Sequence, residues 1–122
     1  MRGIDSDAAL EKLTLDSPDL PKICVHGTYI RHVQAILQNG LKPGGLEGNR
    51  THIHFTPFAP GDKEVISGMR YDAEVAVYVN IRAAQLDNIP FYISVNKVIL
   101  TPGVDNGIIV AKYFDTIEDI RN

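Results

Sequence analysis

The stretch VAVYVNIRAAQLDNIPFYISVNKVILTPGVDNGIIV, residues 75–110, decides the fold class. Val75-Ala76-Val77-Tyr78-Val79 is rich in β-branched and aromatic residues and reads as a strand. Phe91-Tyr92-Ile93, Val98-Ile99-Leu100 and Ile108-Ile109-Val110 read as three more short strands, separated by Ser, Asn and Lys and by a Pro-Gly-Val-Asp-Asn-Gly turn. Between them only Arg82 to Leu86 has helical character, and Asn88 and Pro90 end it. Strands dominate without regular βαβ alternation. That pattern predicts an α+β fold rather than a doubly wound sheet.

Upstream, Ile23-Cys24-Val25 reads as a short buried strand running into a turn at His26-Gly27. From Tyr29 the apolar residues Ile30, Val33, Ile36 and Leu37 recur at helical spacing. Asn39-Gly40 closes that helix, with Gly40 at the left-handed cap position. Leu41 to Asn49 is a Gly- and Pro-rich loop, and Thr51 to Phe55 reads as a strand stopped by Pro57 and Pro60. Asp62 to Ile66 has the pattern of a single helical turn before Ser67-Gly68-Met69-Arg70. At the start of the chain, Asp7 to Leu13 reads as a short helix, followed by turn residues from Asp16 to Pro21.

The chain has 122 residues, 44% hydrophobic and 22% charged, which is the size and composition of one soluble domain. Its single cysteine, Cys24, excludes a disulfide framework and a multi-cysteine zinc site, and it reads as buried and inert. No apolar run approaches the roughly 20 residues of a membrane-spanning helix. The first twenty residues hold five acids and no apolar signal core, so an intracellular protein is expected, in cytoplasm or nucleus. The formal charge of −3 is unevenly spread. Residues 1–21 hold five acids against two basic residues and read as an acidic N-terminal extension. Residues 22–112 hold nine Lys and Arg against seven Asp and Glu, with all four histidines. The body of the expected domain 22–122, residues 22–112, is therefore mildly basic, compatible with a local anion site but not with a strongly basic nucleic-acid protein.

Several short motifs have a chemical reading beside a plainer one. In His26-Gly27-Thr28 the missing Cβ of Gly27 leaves backbone N–H and C=O open to a flat ligand such as an amide. The same tripeptide also reads as a strand-to-helix turn with Thr28 as the cap. In Arg50-Thr51-His52-Ile53-His54-Phe55, a strand puts Arg50, His52 and His54 on one face, suited to phosphate or developing negative charge. A metal site there would need a third ligand and would face Arg50, and a polar edge strand is the plain reading. Gly68-Met69-Arg70 suits an anion contact or a surface turn. Ser94-x-Asn96 suits a ligand contact or simple turn chemistry. Tyr71, Tyr78, Tyr92 and Tyr113 read as core and interface aromatics with a polar tip.

Taken in order, Val25-His26-Gly27-Thr28-Tyr29, Ile36 to Leu41, Arg50 to Phe55, Ile66-Ser67-Gly68-Met69-Arg70, Ile89-Pro90-Phe91-Tyr92 and Ser94 to Gly103 resemble one family. It is the ADP-ribosyltransferase lobe of the NAD-dependent RNA 2′-phosphotransferases, which finish tRNA splicing. The resemblance runs from about Val25 to Phe114, and Ile66 to Arg70 is closer to the eukaryotic branch. It implies the ADP-ribosyltransferase fold: two small packed β-sheets, an early helix, and an NAD cleft between the sheets.

The implied reaction has two steps. An RNA 2′-phosphate displaces nicotinamide from NAD. The ribose 2″-hydroxyl then attacks that phosphate, releasing ADP-ribose 1″,2″-cyclic phosphate. By resemblance Arg50 is the catalytic arginine of this lobe. His26 contacts a ribose of NAD, Gly27 its amide, and Thr28 sits beside them. His54 is the second histidine of the nucleotide pocket, and Gly68, Arg70, Ser94 and Asn96 line that pocket; no metal is implied. No glutamate occurs near Val98 to Leu100, so polymer synthesis is not expected. Family members carry an N-terminal winged-helix RNA lobe, and nothing in the roughly 24 residues before the His-Gly-Thr motif matches it. The expected partners are NAD and an RNA bearing a 2′-phosphate or another phosphorylated nucleic-acid end, for a monomer without membrane attachment. Two alternatives stand beside this: a stand-alone ADP-ribosyltransferase acting on terminal phosphates or on protein, and a non-catalytic NAD or ADP-ribose binding module.

Overall fold

The computed structural model describes residues 10–17, 20–42, 53–59, 73–95, 97–102 and 108–121. In chain order these form β1 (Glu11–Leu13), β2 (Val25–Thr28), α1 (Ile30–Asn39), β3 (Ile53–Phe55), β4 (Val75–Val79), α2 (Ile81–Leu86), β5 (Phe91–Ile93), β6 (Ile99–Thr101), a 3-10 turn (Ala111–Tyr113) and β7 (Phe114–Asp119). The strands build two antiparallel sheets, β1-β5-β6-β3 and β2-β4-β7. This is the α+β architecture that residues 75–110 predict. Among the described residues no helix is long and apolar enough to cross a membrane.

The two sheets meet where β2 passes the end of β3. Val25 N–H donates to the Thr56 carbonyl and Thr56 N–H to the Val25 carbonyl, both at 2.9 Å. Neither residue has measurable exposure, so both bonds are shielded from water. Around this seam Phe55, Phe91 and Ile99 of the first sheet join Val77 and Val79 of the second in one buried cluster. The Phe55 and Phe91 rings lie 6.2 Å apart at a tilt of 50°. Helix α2 carries the chain from one sheet to the other. It starts on Asn80, whose Oδ1 accepts from Ala83 N–H at 3.0 Å. Two residues past its end at Leu86, Asn88 has φ of +69°, a left-handed conformation suited to leaving a helix.

Three strands depart from the sequence reading. The strand read at Ile23-Cys24-Val25 with a turn at His26-Gly27 is β2, Val25–Thr28, in which His26 and Gly27 pair with Val77 and Ala76. Glu11–Leu13 falls within the predicted helix and the predicted acidic extension, yet it pairs with β5, Leu13 opposite Phe91. Leu13 is 3% exposed in the common core. Pairing with an existing apolar strand outweighs the modest helical preference of this segment. Strand β7 has no counterpart in the sequence reading. Its register against β4 shifts between Tyr78 and Val79, so the half-buried residues are Phe114 and Ile117, three apart. That spacing erases the period-two signal of a strand. Ile108-Ile109-Val110, read as a strand, contributes an isolated bridge between Leu41 and Ile109. The readings made on Asp62 to Arg70, and on Arg50 to His52, lie outside the described residues.

Helix α1 begins and ends where its apolar spacing predicts. Of its stripe only Ile36 is buried, while Ile30 and Leu37 stay exposed. Gly40 closes it: Gly40 N–H donates to the Ile36 carbonyl at 2.7 Å, and Leu41 and Ile109 then exchange two backbone bonds of 2.8 and 2.9 Å. Gly40 has φ of +88°, and a Cβ there would lie 2.7 Å from the Ile109 carbonyl oxygen. Both the backbone conformation and the close approach demand glycine. Gly40→Ala is expected to lower stability by about 1–3 kcal/mol, read as a lower denaturant midpoint at unchanged slope. An unchanged midpoint would contradict this account.

Candidate functional site

The site is built on β2, because alternate residues of a strand aim their backbone groups to opposite edges. Cys24 accepts from Val79 N–H at 2.8 Å, so the even-numbered residues face β4. Val25 faces the other way, toward Thr56. Gly27 shares the orientation of Val25, beyond the point where the single bridge to Thr56 ends. Its N–H and C=O therefore point off the edge of β2, with no partner among the described residues. A donor and an acceptor side by side, with no Cβ to hinder approach, match the two hydrogen-bonding groups of a carboxamide.

His26 points from β2 toward the first sheet. Its Nδ1 lies 2.9 Å from the His54 carbonyl oxygen, which can only accept, so Nδ1 carries the proton. The ring meets Phe55 edge-on at 5.7 Å. Burial pushes the imidazole below its ordinary pKa of 6.5, against a smaller upward pull from the His54 carbonyl. His26 is thus neutral near pH 7, and its Nε2 is left as an acceptor. Thr28 is 7% exposed and belongs to β2. It does not cap α1: the cap position is Tyr29, without a side-chain bond. Instead Ile30 N–H donates to Glu74 Oε1 at 3.0 Å. No sequence signal links residues 30 and 74; the pairing of Thr28 with Val75 brings them together.

On the first sheet, His54 lies on β3 opposite Leu100 of β6, and Leu100 lies opposite Tyr92 of β5. Ser94 follows Tyr92 by two residues and shares its face. The Ser94 hydroxyl accepts from Val98 N–H at 3.1 Å, and Ser94 N–H donates to the Val98 carbonyl at 2.9 Å. Its side chain therefore performs the turn chemistry of the plainer reading. The structure brings His26, Gly27, Thr28 and His54 to the seam and puts Ser94 on the His54 face. Arg50, Gly68, Arg70 and Asn96 lie outside the described residues. Cys24 is buried, with its thiol pushed well above its ordinary pKa by that burial, and so has no nucleophilic character. A separate cavity of about 360 Å³, lined by Lys22, Cys24, Val79, Asn80, Arg82 and Asp115 among others, includes none of the predicted site residues. Among the described residues no three His, Cys, Asp or Glu side chains gather as a metal site.

Comparison with known proteins follows the same lines. Residues 2–103 match the model of the RNA 2′-phosphotransferase, Tpt1 / KptA family. The chain is 45% identical over 113 residues to the tRNA 2′-phosphotransferase 1 of Homo sapiens, covering 92% of this chain and 43% of that protein. It is 40% identical over 116 residues to the protein of the same name from Danio rerio, covering 95% and 50%. It is 32% identical over 100 residues to a probable RNA 2′-phosphotransferase of Pseudomonas fluorescens, covering 82% and 52%. The chain belongs to the RNA 2′-phosphotransferase, Tpt1 / KptA family. It spans about half the length of these relatives.

The lowered pKa of His26 gives a stability prediction. The folded chain favours the neutral ring, so the unfolded chain binds the extra proton as pH falls through its ordinary 6.5. The stabilisation is complete above that pH and is lost below it, with a slope of at most about 1.4 kcal/mol per pH unit. His26→Asn keeps an N–H donor for the His54 carbonyl but cannot titrate. Unfolding free energies of the two proteins between pH 7.5 and 5 are expected to diverge below about 6.5, with the parent falling faster. Parallel curves would show that His26 does not titrate with folding.

Proposed function

We propose that this chain is the NAD-using transferase part of an RNA 2′-phosphotransferase, with the ADP-ribosyltransferase fold and NAD as a co-substrate between the two sheets. The observation that carries the reading is the backbone amide of Gly27, without a partner among the described residues, beside the neutral ring of His26. Gly27 N–H and C=O suit the carboxamide of nicotinamide, and His26 Nε2 suits a ribose hydroxyl as hydrogen-bond donor. These contacts hold the glycosidic bond in a fixed orientation while positive charge develops on the ribose.

In the first step a 2′-phosphate oxygen of the RNA forms a bond to the anomeric carbon, and nicotinamide leaves with the bonding pair of the glycosidic link. In the second, the 2″-hydroxyl oxygen bonds to that phosphorus and the RNA 2′-oxygen leaves. The products are RNA with a free 2′-hydroxyl and ADP-ribose 1″,2″-cyclic phosphate. Arg50 stabilises the phosphate charge in both steps. His54, Gly68, Arg70, Ser94 and Asn96 complete the nucleotide pocket, and Thr28 backs His26 and Gly27. The family match and the 45% identity to the human protein support this assignment.

Incubation of the chain with NAD and a 2′-phosphorylated RNA tests it. The expected result is nicotinamide release with transfer of ADP-ribose to that RNA, and none with the unphosphorylated strand. Arg50→Ala is expected to lower the rate by about 10²–10³-fold. Equal labelling of both strands would remove phosphate as the acceptor, and NAD binding without turnover would leave a binding module.

A further inference from the structure

Lys12, Tyr92, Leu100 and His54 are successive partners across the first sheet, from β1 to β3. Directly paired residues of antiparallel strands project to one face, so these four form a single row. The opposite face holds Phe91, Ile99, Phe55 and Ile53, all in the core. The Lys12 row therefore lies on the solvent-leaning face, with Lys12 exposed and Tyr92, Leu100 and His54 half-buried.

Tyr92 does not behave as a core tyrosine. Tyr113 does: it is 8% exposed, and its hydroxyl donates to Asp87 Oδ2 at 2.6 Å. Tyr92 is half-exposed and makes no hydrogen bond or ring contact. Leu100 separates it from His54 by two strand spacings, roughly 9.5 Å. A planar ring in van der Waals contact with both walls needs about 7–8 Å. Lys12, next along the row and unpaired, supplies a cation for the phosphate that accompanies such a ring.

We propose that Tyr92 is a ligand-contact residue, forming with the Leu100 floor and the His54 wall a slot for a planar heteroaromatic ring of a nucleotide. The proposal rests on the functional reading above, because His54 is what joins the slot to the nucleotide pocket. The ring belongs either to NAD or to a base of the RNA acceptor, and the two share the same stacking chemistry.

The test uses the full 122-residue chain with Tyr92→Phe and Tyr92→Leu. NAD and a 2′-phosphorylated RNA are titrated separately by calorimetry, and thermal unfolding is followed alongside. Tyr92→Leu is expected to weaken one ligand by about fivefold to 100-fold while melting near the parent. Tyr92→Phe, which keeps the ring, is expected to stay within about twofold to threefold of the parent. Loss confined to NAD assigns the slot to a ring of NAD, and loss confined to RNA assigns it to a base. A parent chain that binds neither overturns the functional reading and the slot together. A parent that binds while Tyr92→Leu binds both ligands equally well overturns the slot alone. Equal losses in Phe and Leu replace ring stacking by a hydroxyl contact and overturn it as well.

Discussion

The exchange of two backbone hydrogen bonds between Val25 and Thr56 is the constraint on which the rest depends. Among the described residues each sheet has three or four strands, and its apolar face must be buried against another element. The bridge fixes where β2 crosses the end of β3. That crossing stacks Phe55 and Phe91 against Val77 and Val79 in one cluster. Because the bridge is a single residue pair, β2 is paired on that side at Val25 and released by Gly27. The edge on which the Gly27 amide has no partner among the described residues thus follows from the brevity of the contact that holds the sheets together.

His26 illustrates how one side chain serves both ends. Its Nδ1–H donates to the carbonyl of His54, and its ring packs edge-on against Phe55. That same bond fixes the tautomer and leaves Nε2 as an acceptor. Structural and ligand-binding readings of this histidine are therefore compatible, since each uses a different nitrogen. Ser94 shows the contrary case, in which the hydroxyl is already engaged in closing the turn between β5 and β6.

Much of the scaffold was legible residue by residue. Helix α1 declared itself through its apolar spacing and Gly40, β4 through its β-branched run, and α2 through Arg82 to Leu86 with Asn88 and Pro90 as its stop. Strands β5 and β6 were marked by Phe91-Tyr92-Ile93 and Val98-Ile99-Leu100. Strands β1 and β7 were not, for different reasons. Glu11–Leu13 carries a mixed local preference that only its partner Phe91 resolves. In β7 the register shift opposite Tyr78 and Val79 replaces alternation by a three-residue spacing. Tyr92 escaped notice as a surface residue because a tyrosine between two apolar neighbours looks the same whether its ring faces core or solvent.

Sequence by itself determined the α+β class and the family to which the chain belongs, and it singled out the residues proposed for the site. Those features live in local composition and in the order of short motifs, both of which survive without coordinates. Tertiary structure alone decided that His26 reaches the His54 carbonyl, that Glu74 meets the first amide of α1, and that Gly27 points off an edge of β2 with no partner among the described residues. Each of these joins residues about 20 or more apart in the chain or depends on strand parity across a seam. Backbone hydrogen-bond direction is a property of paired strands, and no single segment of sequence contains it.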